Sequence, residues 1–450
     1  MRGFRPARDD FAKILHLALP VVGVQLGIVA MGLVDTMMVG RVSPADLAAV
    51  ALGNLFFFAT AIFGLGVLLA LDPVVAQAVG AGEREAAARG VQRGLFLAFF
   101  LAVITSLALA PAGPVFRTAG QPAEVIPIAV GYAHALIPGT PAFFLFIVFR
   151  QSLLAVGRVA PILWSTLAAN LLNLFLNWVL VWGNLGVPRL GAVGSAWGTS
   201  LARWFLAAAI LGAAWPHLRP FLRPWRSGVA RLRPLVRMLL LGTPIGVQLQ
   251  LEWGAFAATG LLMGLLGAEA MAGHQIAVNL ASFAFMIPIG IGAAAAVRVG
   301  HEIGRGDPPA ARRAAGAALA AGSVLMVMTA VLFLVAPDLL GRAFTNDAGV
   351  VRVAALLLPI AGVFQIFDGL QAVAAGALRG AGDTRGPLIA NLLGFWSFGL
   401  PLSVVLTFRL DQGPAGLWWG LAAGLAAVAV LLLLRVRVRL AGEPGRLMVE

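Results

Sequence analysis

Long apolar stretches recur from one end of the 450-residue chain to the other. A helix needs about 20 consecutive apolar residues to cross the hydrocarbon core of a bilayer. These stretches are continuous and do not alternate with period two, so helices are expected and not the strands of a barrel. The chain is 60% hydrophobic and 11% charged, too little charge for a soluble fold of this length. The fold class that follows is an all-α polytopic membrane protein lodged in the lipid bilayer. Twelve transmembrane helices are expected, near 15–39, 49–71, 94–112, 126–148, 159–182, 190–214, 236–263, 271–295, 313–335, 348–376, 386–408 and 413–434. The first apolar stretch is too long for a signal peptide, and no A-x-A site follows it, so it is read as the first span.

Arginines set the orientation. Arg2, Arg5, Arg8, Lys13, Arg84, Arg89, Arg93, Arg150 and Arg158 fall on one side, as do the arginines of 216–234, Arg237, Arg298, Arg305, Arg312, Arg313, Arg379, Arg385, Arg435, Arg437, Arg439 and Arg446. The other side receives only Arg41, Arg117, Arg189, Arg342 and Arg409. Both termini and the even-numbered connections are therefore expected in the cytoplasm, with the chain in the cell's inner (plasma) membrane. The net charge of +13 belongs to these loops, and no nucleic-acid partner is implied. There is no Cys, which excludes disulfides.

The chain also resembles itself. "LALPVVGVQL" (17–26) matches "LLGTPIGVQLQ" (240–250), and "VAQAVGAGEREAAARGV" (75–91) matches "VGHEIGRGDPPAARRAA" (299–315). Pro20 with Pro244, Gly40 with Gly264, Gly80 with Gly304, Gly82 with Gly306 and Arg89 with Arg313 each lie 224 residues apart. A looser match pairs "LLAVGRVAPIL" (153–163) with "LRGAGDTRGPLI" (378–389). Two pseudo-symmetric six-helix lobes are expected, an N-lobe at 1–214 and a C-lobe at 236–450, joined by a cytoplasmic linker at 215–235. Parallel repeats of this kind belong to transporters, with the substrate path between the halves.

Four acids fall within or near the spans: Asp35, Asp72, Glu252 and Asp368. A charge at bilayer depth is expensive, so such residues mark ion or substrate sites unless they are paired. Asp72, just before Pro73, is read as a turn or cap residue. Gln248 lies one turn before Glu252, and Gln365 and Gln371 flank Asp368 three residues either side, giving each acid polar neighbours on its own stripe. Basic partners at this depth are scarce, with Arg203 the main candidate. Asn170, Asn173 and Asn177 share one face of the fifth span, and His274, Gln275 and Asn279 lie on the eighth. Hydrogen bonding between helices is the alternative reading for these rows. "GAGD" (380–383) sits in a basic loop and is not read as an intramembrane protease motif; no P-loop, H-E-x-x-H or G-x-S-x-G occurs.

The sequence resembles the multidrug and toxic compound extrusion (MATE) transporters, in their NorM-type branch. The resemblance runs through "LALPVV" and "MGLVDTMMVG", then "AGHQIAVNLASFAFMIPIGIGAAAAVRVG", "DGLQAVAAGALRGAGDT" and "GPAGLWWG". It implies two six-helix lobes around a V-shaped cleft, exporting cationic amphipathic compounds in exchange for Na⁺ or H⁺. It also implies that Asp35 is the N-lobe carboxylate, with Asn173, Asn177 and Thr199 as companions. Glu252 and Asp368 would be the C-lobe carboxylates, binding Na⁺ if the protein is sodium-coupled. Gln248, Gln275, Asn279 and Phe364 would face the cavity, and Pro20 would be the hinge of the first span. NorM-type members often carry Tyr where this chain has Phe364, which would weaken a Na⁺ site or favour H⁺.

Removal from water disfavours a bare carboxylate, so one site can be neutralised in turn by H⁺, Na⁺ or a cationic drug. The expected function is thus a monomeric secondary exporter of small cationic molecules, not an enzyme, with no cofactor beyond its coupling ion. The alternatives are a flippase for a lipid-linked precursor, which would want a more basic cleft, and an intramembrane hydrolase using Asp35 with Asp368. The two-lobe repeat gives the hydrolase no support.

Overall fold

A computed structural model describes residues 4, 6–442 and 445–447; Arg2, Arg5 and both chain ends lie outside the described residues. Among the described residues there is no strand. The helices are α1 (Arg8–Val39), α2 (Pro44–Leu68), α3 (Leu71–Gly80), α4 (Arg84–Leu109), α5 (Ala112–Thr118), α6 (Ile126–Leu136), α7 (Thr140–Ala155), α8 (Ala160–Leu180) and α9 (Gly191–Ala213). They continue as α10 (Trp215–Leu222), α11 (Leu232–Gly264), α12 (Ala268–Arg305), α13 (Pro308–Val335), α14 (Pro337–Arg342), α15 (Ala348–Gly380), α16 (Arg385–Asn391), α17 (Leu400–Val404) and α18 (Gly413–Ala441). Two π-helical pieces, Leu392–Gly399 and Val405–Arg409, flank α17.

Each of the twelve expected spans coincides with helix. Among the described residues, ten helical stretches are long and apolar enough to cross a membrane, and α9 makes an eleventh when joined to α10 across a 91° bend. The remaining one, α11, is 33 residues long but carries Thr243, Gln248, Gln250 and Glu252 along its middle, which lowers its apolarity.

Local chemistry explains the boundaries. Ser43 caps α2 by accepting from Asp46 N at 3.0 Å, with Pro44 in the first turn. Asp307 caps α13 through Ala310 N at 2.9 Å, and Asp347 caps α15 through Gly349 N and Val350 N. The repeat has a backbone reason. Gly82 and Gly306 end their helices at φ 75° and 74°, and the looser match aligns Gly157 and Gly382 at φ 71° and 75°. Those left-handed positions are open to glycine at no steric cost.

The chain forms two compact units, and their limits are not those of the linker. One unit is Gly23–Gly246; the other is Met1–Val22 with Val247–Met448. The division falls inside α1 and inside α11, each within three residues of one of the paired prolines, Pro20 and Pro244. Both helices run on through their proline. Glycines explain which half-helix goes where. In the first unit a Cβ on Gly246 would sit 2.6 Å from the Phe63 carbonyl oxygen, so α11 and α2 pack backbone to backbone. In the second unit Gly290 of α12 has the same relation to Val22 of α1, where a Cβ would meet Val22 N at 3.0 Å. Gly66, which faces Gly246, lies 224 residues before Gly290. The linker expected at 215–235 is part helical, and it is tied to α4 of the first unit. Gln92 donates to Phe221 O at 2.9 Å and Pro224 O at 3.1 Å, and accepts from Arg226 N at 2.9 Å.

Candidate functional site

The Gly23–Gly246 unit gathers the four polar residues that the resemblance singled out there. Asp35 on α1 is 2% exposed. Asn177 on α8 donates to its Oδ1 at 2.5 Å, and Thr199 on α9 donates to its Oδ2 at 2.8 Å. Asn173 closes the ring, accepting from Asn177 Nδ2 at 3.3 Å and donating to Thr199 Oγ1 at 3.5 Å. The spacing of four between Asn173 and Asn177 puts both amides on one face of α8, which is why they meet one carboxylate. Asn170, on the same row, turns elsewhere and donates to Gly27 O at 3.0 Å. Nearby, Tyr132 of α6 donates its hydroxyl to Asn54 Oδ1 at 3.1 Å.

Arg203 does not form an ion pair with Asp35, although it acts on it electrostatically. Its guanidinium lies over the rings of Phe57 and Phe143, 4.2 and 5.3 Å from their centroids. The sequence marked it as a partner for an acid; its closest partners are aromatic.

The second unit holds the other two acids. Glu252 on α11 is partly buried, and Asp368 on α15 is 5% exposed. Glu252 lies near enough for its charge to act on Asp368. Gln371, on the same helix as Asp368, donates to Glu252 Oε2 at 3.3 Å. Trp396 fixes α11 at this level by donating to Leu251 O at 3.0 Å. Gln365 donates to Ala281 O at 2.8 Å. The amide oxygens of both Gln365 and Gln371 are buried without a partner, and Gln371 brings its own to the acidic pair. That donor set, all oxygen, suits a hard monovalent cation or a proton.

The remaining residues named from sequence are placed as follows. Gln248 is buried, but no hydrogen bond among the described residues joins it to Glu252. Gln275 donates to Asn279 at 3.5 Å on an exposed face of α12. Phe364, named with the cavity residues, is 1% exposed and sits edge-on to Phe256 and Trp418, with centroids 5.9 and 5.8 Å away. It is a packing residue of an aromatic cluster. Trp418 in turn donates to His274 Nδ1 at 3.1 Å, which accounts for that histidine.

Asp72 is not the local cap that its proline neighbour suggested. It is 1% exposed and accepts from Gln151 Nε2 of α7. Gln151 Oε1 accepts from Arg150 Nε at 3.1 Å, and Arg150 reaches Gln25 of α1 at 3.0 Å. The network ties three parts of the unit together, and nothing in the sequence spacing announces it.

Comparison with known proteins places these sites in a family. A family model described as MatE matches the chain twice, over residues 20–179 and 244–405, and the two matches start at the paired prolines. The multidrug resistance protein NorM of Burkholderia vietnamiensis is 38% identical over 431 residues, covering 94% of this chain and 93% of that one. The multidrug resistance protein MdtK of Edwardsiella ictaluri is 34% identical, covering 94% of each. The crystal structure of the eukaryotic MATE transporter AtDTX14 superposes with a TM-score of 0.87 at 25% identity, covering 96% of each chain. Matched in both halves and 34–38% identical to these relatives over nearly its whole length, the chain belongs to the MatE family.

Proposed function

We propose that the protein is a secondary active exporter of small cationic amphipathic compounds, driven in antiport by H⁺ or Na⁺ returning through the chain. The observation that carries this is the Glu252–Asp368 pair: two carboxylates on different helices of one unit, close enough to interact, in apolar surroundings. Two like charges that near each other in a low-dielectric site favour uptake of a cation. A proton, Na⁺ or an organic cation each relieves the repulsion, so they compete. Coupling then follows if the competing cations differ in their affinity for the inward- and outward-exposed states. The names of the NorM and MdtK relatives, both multidrug resistance proteins, support this cargo class.

The chain has no P-loop, which is in keeping with an ion gradient as the energy source. The arginine bias supports a multi-pass chain in the inner membrane with both termini cytoplasmic. Acidic rather than basic residues at bilayer depth favour cationic cargo over a lipid-linked anionic one.

Proteoliposomes test the reading. Uptake of ethidium is expected when either an H⁺ or a Na⁺ gradient is imposed, and the effective gradient identifies the coupling ion. Uptake that ignores both gradients contradicts antiport.

A further inference from the structure

The connection from α13 to α15 falls on the side that the arginine bias places outside, where the chain puts few cations. Arg342 of α14 is one of those few, and Arg352 lies in the second turn of α15. Both line one cavity of about 490 Å³. Gly341 brings them together. It is buried, and a Cβ there would lie 3.5 Å from Ala354 Cβ, so α14 rests close on the first turns of α15. Among the described residues, neither guanidinium has a hydrogen bond or an ion pair. Asp338, one turn before Arg342, lines the same cavity and pairs with neither. Two like charges held in one cavity favour an anion between them. One turn deeper along α15 the surface becomes apolar, with Leu356 52% exposed, and Leu339 on α14 is 71% exposed. A free anion has no use for those side chains; an acyl chain covers them.

We propose that the cavity between α14 and α15 is a binding site for an anionic phospholipid of the outer leaflet, of the phosphatidylglycerol type. Arg342 and Arg352 donate to the phosphodiester oxygens, and charge-assisted bonds of this kind are the strong ones. Asp338 accepts from the hydroxyls of the headgroup. Two cations and one carboxylate leave the cavity a single positive charge, which the single negative charge of phosphatidylglycerol balances. Phosphatidylcholine is neutral overall and has no hydrogen-bond donor for Asp338, so it fits less well. The site stands at the level of the lipid headgroups, at the outer end of the span that α15 forms. It concerns neither the cargo nor the coupling ion, and holds whether or not the exporter reading does.

The chain has no Cys, so Leu339→Cys takes a single fluorescent bimane label beside the cavity. The labelled full chain in detergent is titrated with phosphatidylglycerol or phosphatidylcholine carrying nitroxide-labelled acyl chains, which quench a nearby fluorophore. Half-maximal quenching is expected at an about tenfold lower concentration of phosphatidylglycerol than of phosphatidylcholine. In the double variant Arg342→Met with Arg352→Met the two lipids are expected to quench alike, through loss of the phosphatidylglycerol preference. If the double variant does not fold, each single variant is expected to lose about threefold of that preference. Arg189→Met, an outer arginine away from the cavity, is expected to keep the preference in full. Unlabelled phosphatidylglycerol is expected to reverse the quenching, and inorganic phosphate at the same concentration is not. Equal quenching by both lipids in the parent chain, a preference unchanged by the arginine variants, a matching loss in Arg189→Met, or reversal by inorganic phosphate overturns the proposal. No gradient is used, so these outcomes are separate from those of Glu252 and Asp368 variants in transport.

Discussion

Gln371 donates its amide to Glu252 across 119 residues of chain, at 3.3 Å, one turn along α15 from Asp368. A neutral side chain that hydrogen-bonds this acidic pair therefore stands on the helix of one acid and touches the other. It orients Glu252 and leaves its own oxygen unpartnered.

Replacing Gln371 by Met keeps the length and apolar volume and removes the donor. Loss of a hydrogen bond to a charged group is worth about 1.5–3 kcal/mol. The change also removes the unpartnered Oε1, so Na⁺ affinity is expected to fall about tenfold or more, whereas H⁺ affinity, which a donor to the carboxylate opposes, is expected to rise. The concentration of H⁺ or Na⁺ giving half-maximal efflux reads this directly, while the purified variant keeps the wild-type elution profile.

The Asp35 ring makes a different prediction. Asn177→Leu removes a donor from a buried carboxylate and is expected to destabilise by about 1–3 kcal/mol. Thr199→Val is expected to cost a comparable amount. The two act on one carboxylate, so the double variant should depart from the sum of the singles. Thermal unfolding in detergent measures all three, and strict additivity would show that the residues do not share the acid.

The glycine contact between α2 and α11 is testable with one methyl group. Gly246→Ala places a Cβ 2.6 Å from the Phe63 carbonyl, a backbone atom that cannot swing aside. Overpacking of this kind costs about 1–3 kcal/mol. Gly264→Ala, at a position with open space around it, is expected to be neutral or slightly stabilising. The two melting temperatures should therefore move apart.

Much of this was legible in the sequence, for physical reasons. Asn173 and Asn177 are four apart on one helix, so periodicity alone put them on a common face. The Pro20–Pro244 offset exposed the repeat, because glycines at Gly82 and Gly306 must both supply a left-handed backbone. Long-range partnerships were not legible. Nothing in the spacing links Asp72 to Gln151, 79 residues away, and the local Asp-Pro pattern suggested a cap instead. Nor could periodicity show that α1 and α11 each divide between the units, since a helix carries one continuous apolar pattern whatever packs on it. Phe364 looked like a lost ligand by comparison with a tyrosine; packing against Phe256 and Trp418 makes it part of the core.

The central claim is that Glu252 and Asp368 couple cation return to export. Asp368→Asn removes one charge with little change of shape. Ethidium efflux from proteoliposomes carrying this variant, under the gradient that drives the wild type, is the direct measurement. Gradient-driven efflux is expected to fall to the level of empty liposomes while the protein still inserts. Efflux at the wild-type rate would contradict the account.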